Sequence, residues 1–325
     1  KKATKTTRHS VDISDIKGQD QAKRALTIAA AGGHNLLMDG PPGAGKTMLA
    51  RALVSLLPSP SYEEQIAITK LHSLVTDGDE AIVAERPFRS PHHTASSISL
   101  IGGGTKPQPG EVSLAHHGVL FLDELPEYPR ASLEALRQPL EDLEVHVSRA
   151  ASRVTYPANF MLIATKNPCP CGYYGDQEHE CSCSLPQILN YQKRISGPLL
   201  DRIDMSISVS RVPEKDLLHK HSGELQSPAL RKTIEDVRLS QTTRYGKQMT
   251  NAELASKNIA EVTQLSEEAT MLLNQATDRL KLSARSYFKL IKVARTIADL
   301  EKSEDILAPH MAEALQYRRR DVDPR

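Results

Sequence analysis

The stretch Gly40-Pro41-Pro42-Gly43-Ala44-Gly45-Lys46-Thr47 constrains this chain more than any other. It matches the spacing GxxxxGK[ST], in which every part has a physical role. Glycines let backbone N–H groups approach an anion with no Cβ in the way. A helix starting at the end of the loop adds partial positive charge at its N-terminus. Lys46 suits the β- and γ-phosphates of a nucleoside triphosphate, and the Thr47 hydroxyl suits Mg²⁺. The flanking sequence agrees. Residues 35–39 (NLLMD) form a short apolar run that reads as a buried strand. Residues 46–57 read as a helix stopped by Pro58. Strand, glycine-rich loop and helix together are the setting a phosphate cradle needs. Gly40 through Met48 are therefore expected to hold ATP.

A second apolar run, residues 119–124 (VLFLDE), delivers two carboxylates. Asp123 is expected to bind Mg²⁺ together with Thr47, and Glu124 to polarise the attacking water. Residues 160–165 (FMLIAT) and 205–209 (MSISV) read as further buried strands. Residues 18–31 and 129–142 read as helices, the latter with Pro129 at its first position. Residues 145–156 alternate, break, and alternate again, as a hairpin does. Apolar strands alternating with helices imply an α/β fold: an αβα sandwich with a parallel sheet.

Beyond Pro213 only helical segments remain, at 228–245, 267–280, 284–300 and 303–319. The expected organisation is a core at 15–211 and an all-helical lid at 212–325. The core carries an insertion at 86–111, rich in Gly, Pro, Ser and His. Residues 1–8 (KKATKTTR) are basic, and 1–14 read as a linker from an upstream domain.

The net charge of +1 advertises no nucleic-acid partner, so any basic surface must be local. Aromatics are 4 % with no Trp, which argues against base-stacking platforms. No apolar run approaches the roughly 18 residues of a membrane span, and no secretory signal is visible, so the expected compartment is the cytosol.

All four cysteines fall between Cys169 and Cys183. Cys169-Pro-Cys171 and Cys181-Ser-Cys183 flank a polar loop at 168–184. Clustering of this kind points to metal rather than to a disulfide framework, and four thiolates suit a structural Zn²⁺. The alternative ligand is His179 in place of one thiol. The pairs His92-His93 and His116-His117 are not expected to bind metal, because adjacent side chains on a strand or helix point apart.

The loop at 40–47, the VLFLDE run and Asn167 (ATKNP) together resemble the AAA+ ATPases. In that family the position of Asn167, sensor 1, orients water or the γ-phosphate. Residues 16–19 (IKGQ) resemble its adenine-pocket entry. Residues 199–204 (LLDRID) resemble its arginine-finger segment, which would make Arg202 act on a neighbouring subunit's phosphates. Leu282-Ser-Ala-Arg285 resembles sensor 2, with Arg295 as the rival to Arg285. The strings SPHH (90–93), GGG (102–104), PGEVSLA (109–115), NPCPCG (167–172) and SGPLLDRID (196–204) are similar to the magnesium-chelatase-like competence branch of AAA+ proteins. That resemblance implies a homo-hexameric ATPase. It would translocate on single-stranded or branched DNA as a helicase and drive branch migration in recombination during natural transformation. It also implies an upstream Lon-protease-like domain. The alternatives are the ATPase subunit of a magnesium chelatase and a protein-remodelling ATPase.

For DNA, the tip of the hairpin is the first candidate, with Arg149 and Arg153 on phosphate. Related AAA+ helicases carry a basic hairpin here. Lys106 is the second candidate, with Arg86 and Arg89 nearby. Contacts of this kind give sequence-independent, salt-sensitive binding.

Overall fold

In the computed structural model, which describes residues 11–76, 82–104, 107–149, 152–176, 178–212 and 225–318, the apolar runs form parallel strands. These are β1 (Leu36–Asp39), β2 (Phe88–Arg89), β5 (Val119–Leu122), β8 (Met161–Lys166) and β9 (Met205–Ser208), ordered β2-β5-β8-β1-β9 in one sheet. The side chains of β5 are all buried, as are the first five of β8, which explains runs of apolar residues without alternation. Two small antiparallel pairs stand apart: β3 (Gly102–Gly103) with β4 (Gln108–Pro109), and β6 (Glu144–Arg149) with β7 (Ser152–Pro157).

The chain forms two compact units. The first is built from Gly40–Val54 and Ser59–Arg202. In it β5 pairs with β2 on one side and β8 on the other, and the hairpin β6–β7 registers Val145 with Tyr156 and Arg149 with Ser152. The helix Tyr62–His72 starts on a reciprocal cap, Ser61 accepting from Glu64 N–H and Glu64 from Ser61 N–H. Glu64 also holds Arg86 through both guanidinium nitrogens, at 3.2 and 2.9 Å.

The second unit is built from Asp12–Asp39, Ser55–Pro58 and Ile203–Arg325. Its helix Asp20–Gly32 is buried almost throughout its last two turns, because it packs against the helices Ser227–Tyr245 and Ala284–Leu300. Ser266 and Ser283 cap the helices Glu267–Leu280 and Ala284–Leu300 by accepting the third backbone N–H of each. Among the described residues this unit's C-terminal part is helical apart from a single bridge between Leu265 and Ile306.

Three expectations need correction. The helix expected at 129–142 is two helices, Arg130–Ala135 and Pro139–Asp142. Pro139 has no N–H to extend the first, and its ring excludes the carbonyl four residues back. The helix expected at 303–319 is confined to Ala308–Gln316. The sheet has one strand more than expected, because β2 is only two residues long and lies within the segment read as an insertion.

Candidate nucleotide site

The phosphate-binding loop leaves β1 and enters the helix Lys46–Leu56. Its first N–H, Gly40, donates to the Lys166 carbonyl at the end of β8 (3.2 Å), and Ala44 N–H closes back on Pro41 (3.4 Å). Gly43 and Gly45 have φ of +79° and +83°, where L side chains are strained. A Cβ on either would meet nothing within 4 Å, so the space over the loop is open for a ligand. Pro42, Gly43 and Met48 are exposed, and Ala44 is buried.

Lys46 is buried, and its ammonium donates to the carbonyls of Gly40 (2.5 Å) and Pro41 (2.9 Å) and to Asn167 Oδ1 (3.1 Å). Asn167 follows β8 directly, so the adjacent strand brings it onto a lysine 121 residues away. Thr47 Oγ1 donates to Asp123 Oδ2 at 3.2 Å across 76 residues. A hydroxyl and a carboxylate so close form a hard-oxygen pair of the kind that would hold Mg²⁺. Glu124 is exposed beside this pair and holds the left-handed backbone, φ +53°. That conformation is sparsely populated for a non-glycine residue and turns the chain sharply after Asp123.

One member of the site was missed in the sequence. Thr165, fully buried in β8, donates to Asp123 Oδ1 (2.6 Å) and accepts Glu124 N–H (2.9 Å). The available signal was a single hydroxyl near the end of an apolar run. Burial, and then the Asp123 charge, push the nearby Tyr128 phenol well above its ordinary range, so it stays protonated.

A family model described as magnesium chelatase, subunit ChlI, matches residues 12–217, and its C-terminal counterpart matches 224–318. The chain belongs to the magnesium-chelatase family of AAA+ ATPases. Two relatives match along almost the whole chain. The competence protein ComM of Haemophilus influenzae is 48 % identical over 96 % of this chain and 60 % of its own length. The protein YifB of Escherichia coli is 46 % identical over 94 % of this chain and 60 % of its own length. The chain thus spans 60 % of the length of each. The magnesium-chelatase 67 kDa subunit of Chlorobaculum parvum is 26 % identical over 49 % of this chain and 23 % of its own length.

In this member of the magnesium-chelatase family the four cysteines converge, their sulfurs all within 4.8 Å of one another. Cys169 Sγ lies 3.3 Å from Cys171 and 3.7 Å from Cys181, and Cys171 lies 3.6 Å from Cys181. Tetrahedral Zn²⁺ with Zn–S near 2.3 Å sets its sulfurs about 3.8 Å apart, so the cluster fits the ion closely. Backbone N–H groups of Tyr174 and Cys171 donate to the Cys169 and Cys183 sulfurs, at 3.3 and 3.4 Å. The Tyr173 backbone, first among several donors, draws Cys171 down to about 5. The four atoms that could hold a metal here are all sulfur. His179 instead stacks on Tyr173 with ring centroids 4.9 Å apart.

The histidine pairs do not point apart as expected. His92 and His93 rings lie 4.0 Å apart and His116 and His117 rings 3.8 Å, because both pairs sit in turns rather than on a strand or helix. Among the described residues the only cluster of three or more metal-ligating side chains is the cysteine set.

Arg202 Nη1 donates to the Pro198 carbonyl at 2.7 Å, and its Nη2 pairs with Glu141. Reaching a neighbouring subunit would require exchanging that carboxylate. Arg285 is exposed on the first turn of the helix Ala284–Leu300. Its rival Arg295 is 1 % exposed and bound to Asp299 at 3.0 Å and to the carbonyls of Glu304 and Ser303, so it is a structural residue. Arg153 is exposed on β7. The Arg149 backbone pairs in β6, whereas its side chain and the whole of Lys106 lie outside the described residues. Arg86 and Arg89 are each held by a carboxylate, Glu64 and Glu111 respectively. No described helix is long and apolar enough to cross a membrane.

Proposed function

We propose that this chain is the ATP-hydrolysing motor of a homo-hexameric ring that translocates on DNA and drives branch migration during natural transformation. The observation that carries the motor reading is the convergence of Lys46, Thr47, Asp123 and Asn167 within hydrogen-bonding distance, with Glu124 exposed beside them. Lys46 and the loop N–H groups hold the β- and γ-phosphates, Thr47 and Asp123 hold Mg²⁺, and Glu124 accepts a proton from the attacking water. Mg²⁺ held by Thr47 and Asp123 would supply Lewis-acid stabilisation of the developing negative charge. Asn167 keeps Lys46 oriented. Arg202 from a neighbouring subunit and Arg285 supply the remaining positive charge at the γ-phosphate. Zn²⁺ on the four cysteines is structural.

Support for the DNA substrate comes from two sources. A relative 48 % identical is named a competence protein. The hairpin β6–β7 carries an exposed Arg153 and lies in sequence between Asp123 and Asn167, two residues of the nucleotide site. Phosphate contacts from such a hairpin need no base readout.

The test is the ATPase rate with no DNA, single-stranded DNA, duplex and four-way junction. Stimulation by DNA that falls with rising salt supports the translocase. A rate indifferent to all of them removes it and favours a chelatase ATPase subunit, the second reading, which the family description itself suggests.

A further inference from the structure

The cysteine cluster lies in the same loop as Asn167, and that loop touches the phosphate-binding loop at two points. The first is Asn167, which accepts from Lys46 Nζ at 3.1 Å. The second is Gly172, with φ +88°. A Cβ there would lie 2.5 Å from Pro42 Cδ and 2.7 Å from Pro42 Cγ. Only a glycine backbone lies this close to the proline ring without displacing it. Cys169 and Cys171 stand between the two contacts. Cys169 is fully buried, its carbonyl accepts Gly172 N–H at 3.0 Å, and its sulfur accepts Tyr174 N–H. Gln192 fixes Pro168 from outside by donating to its carbonyl at 3.1 Å.

We infer that the metal-bound cysteine loop is a positioning element of the nucleotide site: it presses Gly172 against Pro42 and holds Asn167 on Lys46, setting the phosphate-binding loop in the shape that takes ATP. This rests on the proposed nucleotide and zinc sites. Tying the 169–171 arm to the 181–183 arm through one ion makes the segment between Asn167 and Gly172 stiff. The Pro42 ring then has a fixed wall, and Lys46 a fixed acceptor. Without the ion, four thiols only within van der Waals distance leave that wall to loop entropy. Affinity for nucleotide then falls, because ordering of the loop is charged to binding.

The experiment measures binding of a fluorescent ATP analogue, zinc content and thermal stability on the same protein. Gly172→Ala is expected to raise the nucleotide Kd about tenfold or more while retaining about one equivalent of zinc and a folded chain, with Tm lowered by the strain of alanine at φ +88° in both the wild-type and the Pro42→Ala background. In a Pro42→Ala background, where the ring atoms that clash are gone, the same substitution costs much less affinity. That rescue is something general destabilisation does not produce. Stripping zinc with a chelator, with folding monitored by circular dichroism, raises Kd similarly, and adding zinc back restores it. Wild-type affinity in zinc-loaded Gly172→Ala overturns the inference, as does a folded zinc-free protein that binds nucleotide at full strength. Wild-type protein that binds nucleotide but carries no zinc overturns the metal part and leaves the motor reading standing. Wild-type protein that binds no nucleotide overturns both.

Discussion

Thr165 Oγ1 donates to Asp123 Oδ1 at 2.6 Å and accepts the backbone N–H of Glu124 at 2.9 Å, so one buried hydroxyl fixes both acidic residues. It leaves the other Asp123 oxygen facing Thr47. Thr165→Val keeps the shape and removes the hydroxyl. A hydrogen bond to a charged group contributes about 1.5–3 kcal/mol, so kcat is expected to fall at least tenfold with little change in nucleotide affinity. Steady-state phosphate release together with equilibrium binding of a nucleotide analogue checks it. An unchanged kcat removes Thr165 from the site.

Asp299 anchors a buried network in the second unit. It accepts from Arg295 Nε (3.0 Å), Asn251 Nδ2 (2.9 Å) and Arg244, and the Arg295 and Asp299 side chains are 2 % and 1 % exposed. Asp299→Ala strands the Arg295 guanidinium without its carboxylate. Breaking one partner of such a pair costs about 3–5 kcal/mol, read as a lower urea midpoint with an unchanged slope. A loss under 1 kcal/mol contradicts this account.

His34 supplies a pH dependence. It is fully buried, and Thr296 Oγ1 spends its hydrogen on the Lys292 carbonyl, so it accepts from His34 Nε2 at 2.8 Å. Nε2 therefore carries the hydrogen. Burial depresses its pKa from 6.5 to about 4, against a smaller opposing pull from Asp204. Between those values the unfolded chain takes up a proton that the folded chain refuses. Stability is therefore retained above pH 6.5 and lost as pH falls toward 4, by on the order of 3 kcal/mol over the window. His116, held near 3 mainly by burial, adds in the same direction. Urea melts between pH 7.5 and 4.5 check the slope, and His34→Gln should flatten it. An equal slope in the variant assigns the effect to other groups.

Much of the site was legible because its parts are contiguous. The loop 40–47 carries its chemistry in eight neighbouring residues, and VLFLDE announces both strand and carboxylates. Thr165 was not legible: one threonine ending an apolar run is as good a strand residue as any other, and its role appears only when β5 pairs with β8. The contact of Gly172 with Pro42 is likewise a product of folding, with no local signal beyond a glycine after a cysteine. The break at Pro139 was visible and yields to the ordinary rule that proline ends a helix. β2 escaped because two residues among prolines carry no periodicity.

The role of Arg202 can be tested without a structure of the ring. Arg202→Ala and Glu124→Gln are each expected to abolish hydrolysis while still binding nucleotide. Mixing the two inactive proteins regains part of the activity if Arg202 acts on a neighbour's phosphates, since some interfaces then pair an intact Glu124 with an intact Arg202. Mixtures as inactive as either parent place Arg202 in its own subunit's site or in a purely structural pair with Glu141.

In the proposed motor, Glu124 drives hydrolysis of ATP bound by Lys46 and the loop before it. The most direct measurement is phosphate release by wild type and Glu124→Gln under saturating ATP and Mg²⁺, with nucleotide binding measured on both. Near-equal affinity is expected, with a kcat lowered by at least about a hundredfold in the variant, the usual scale for losing a general base. Hydrolysis by Glu124→Gln at the wild-type rate would contradict this role.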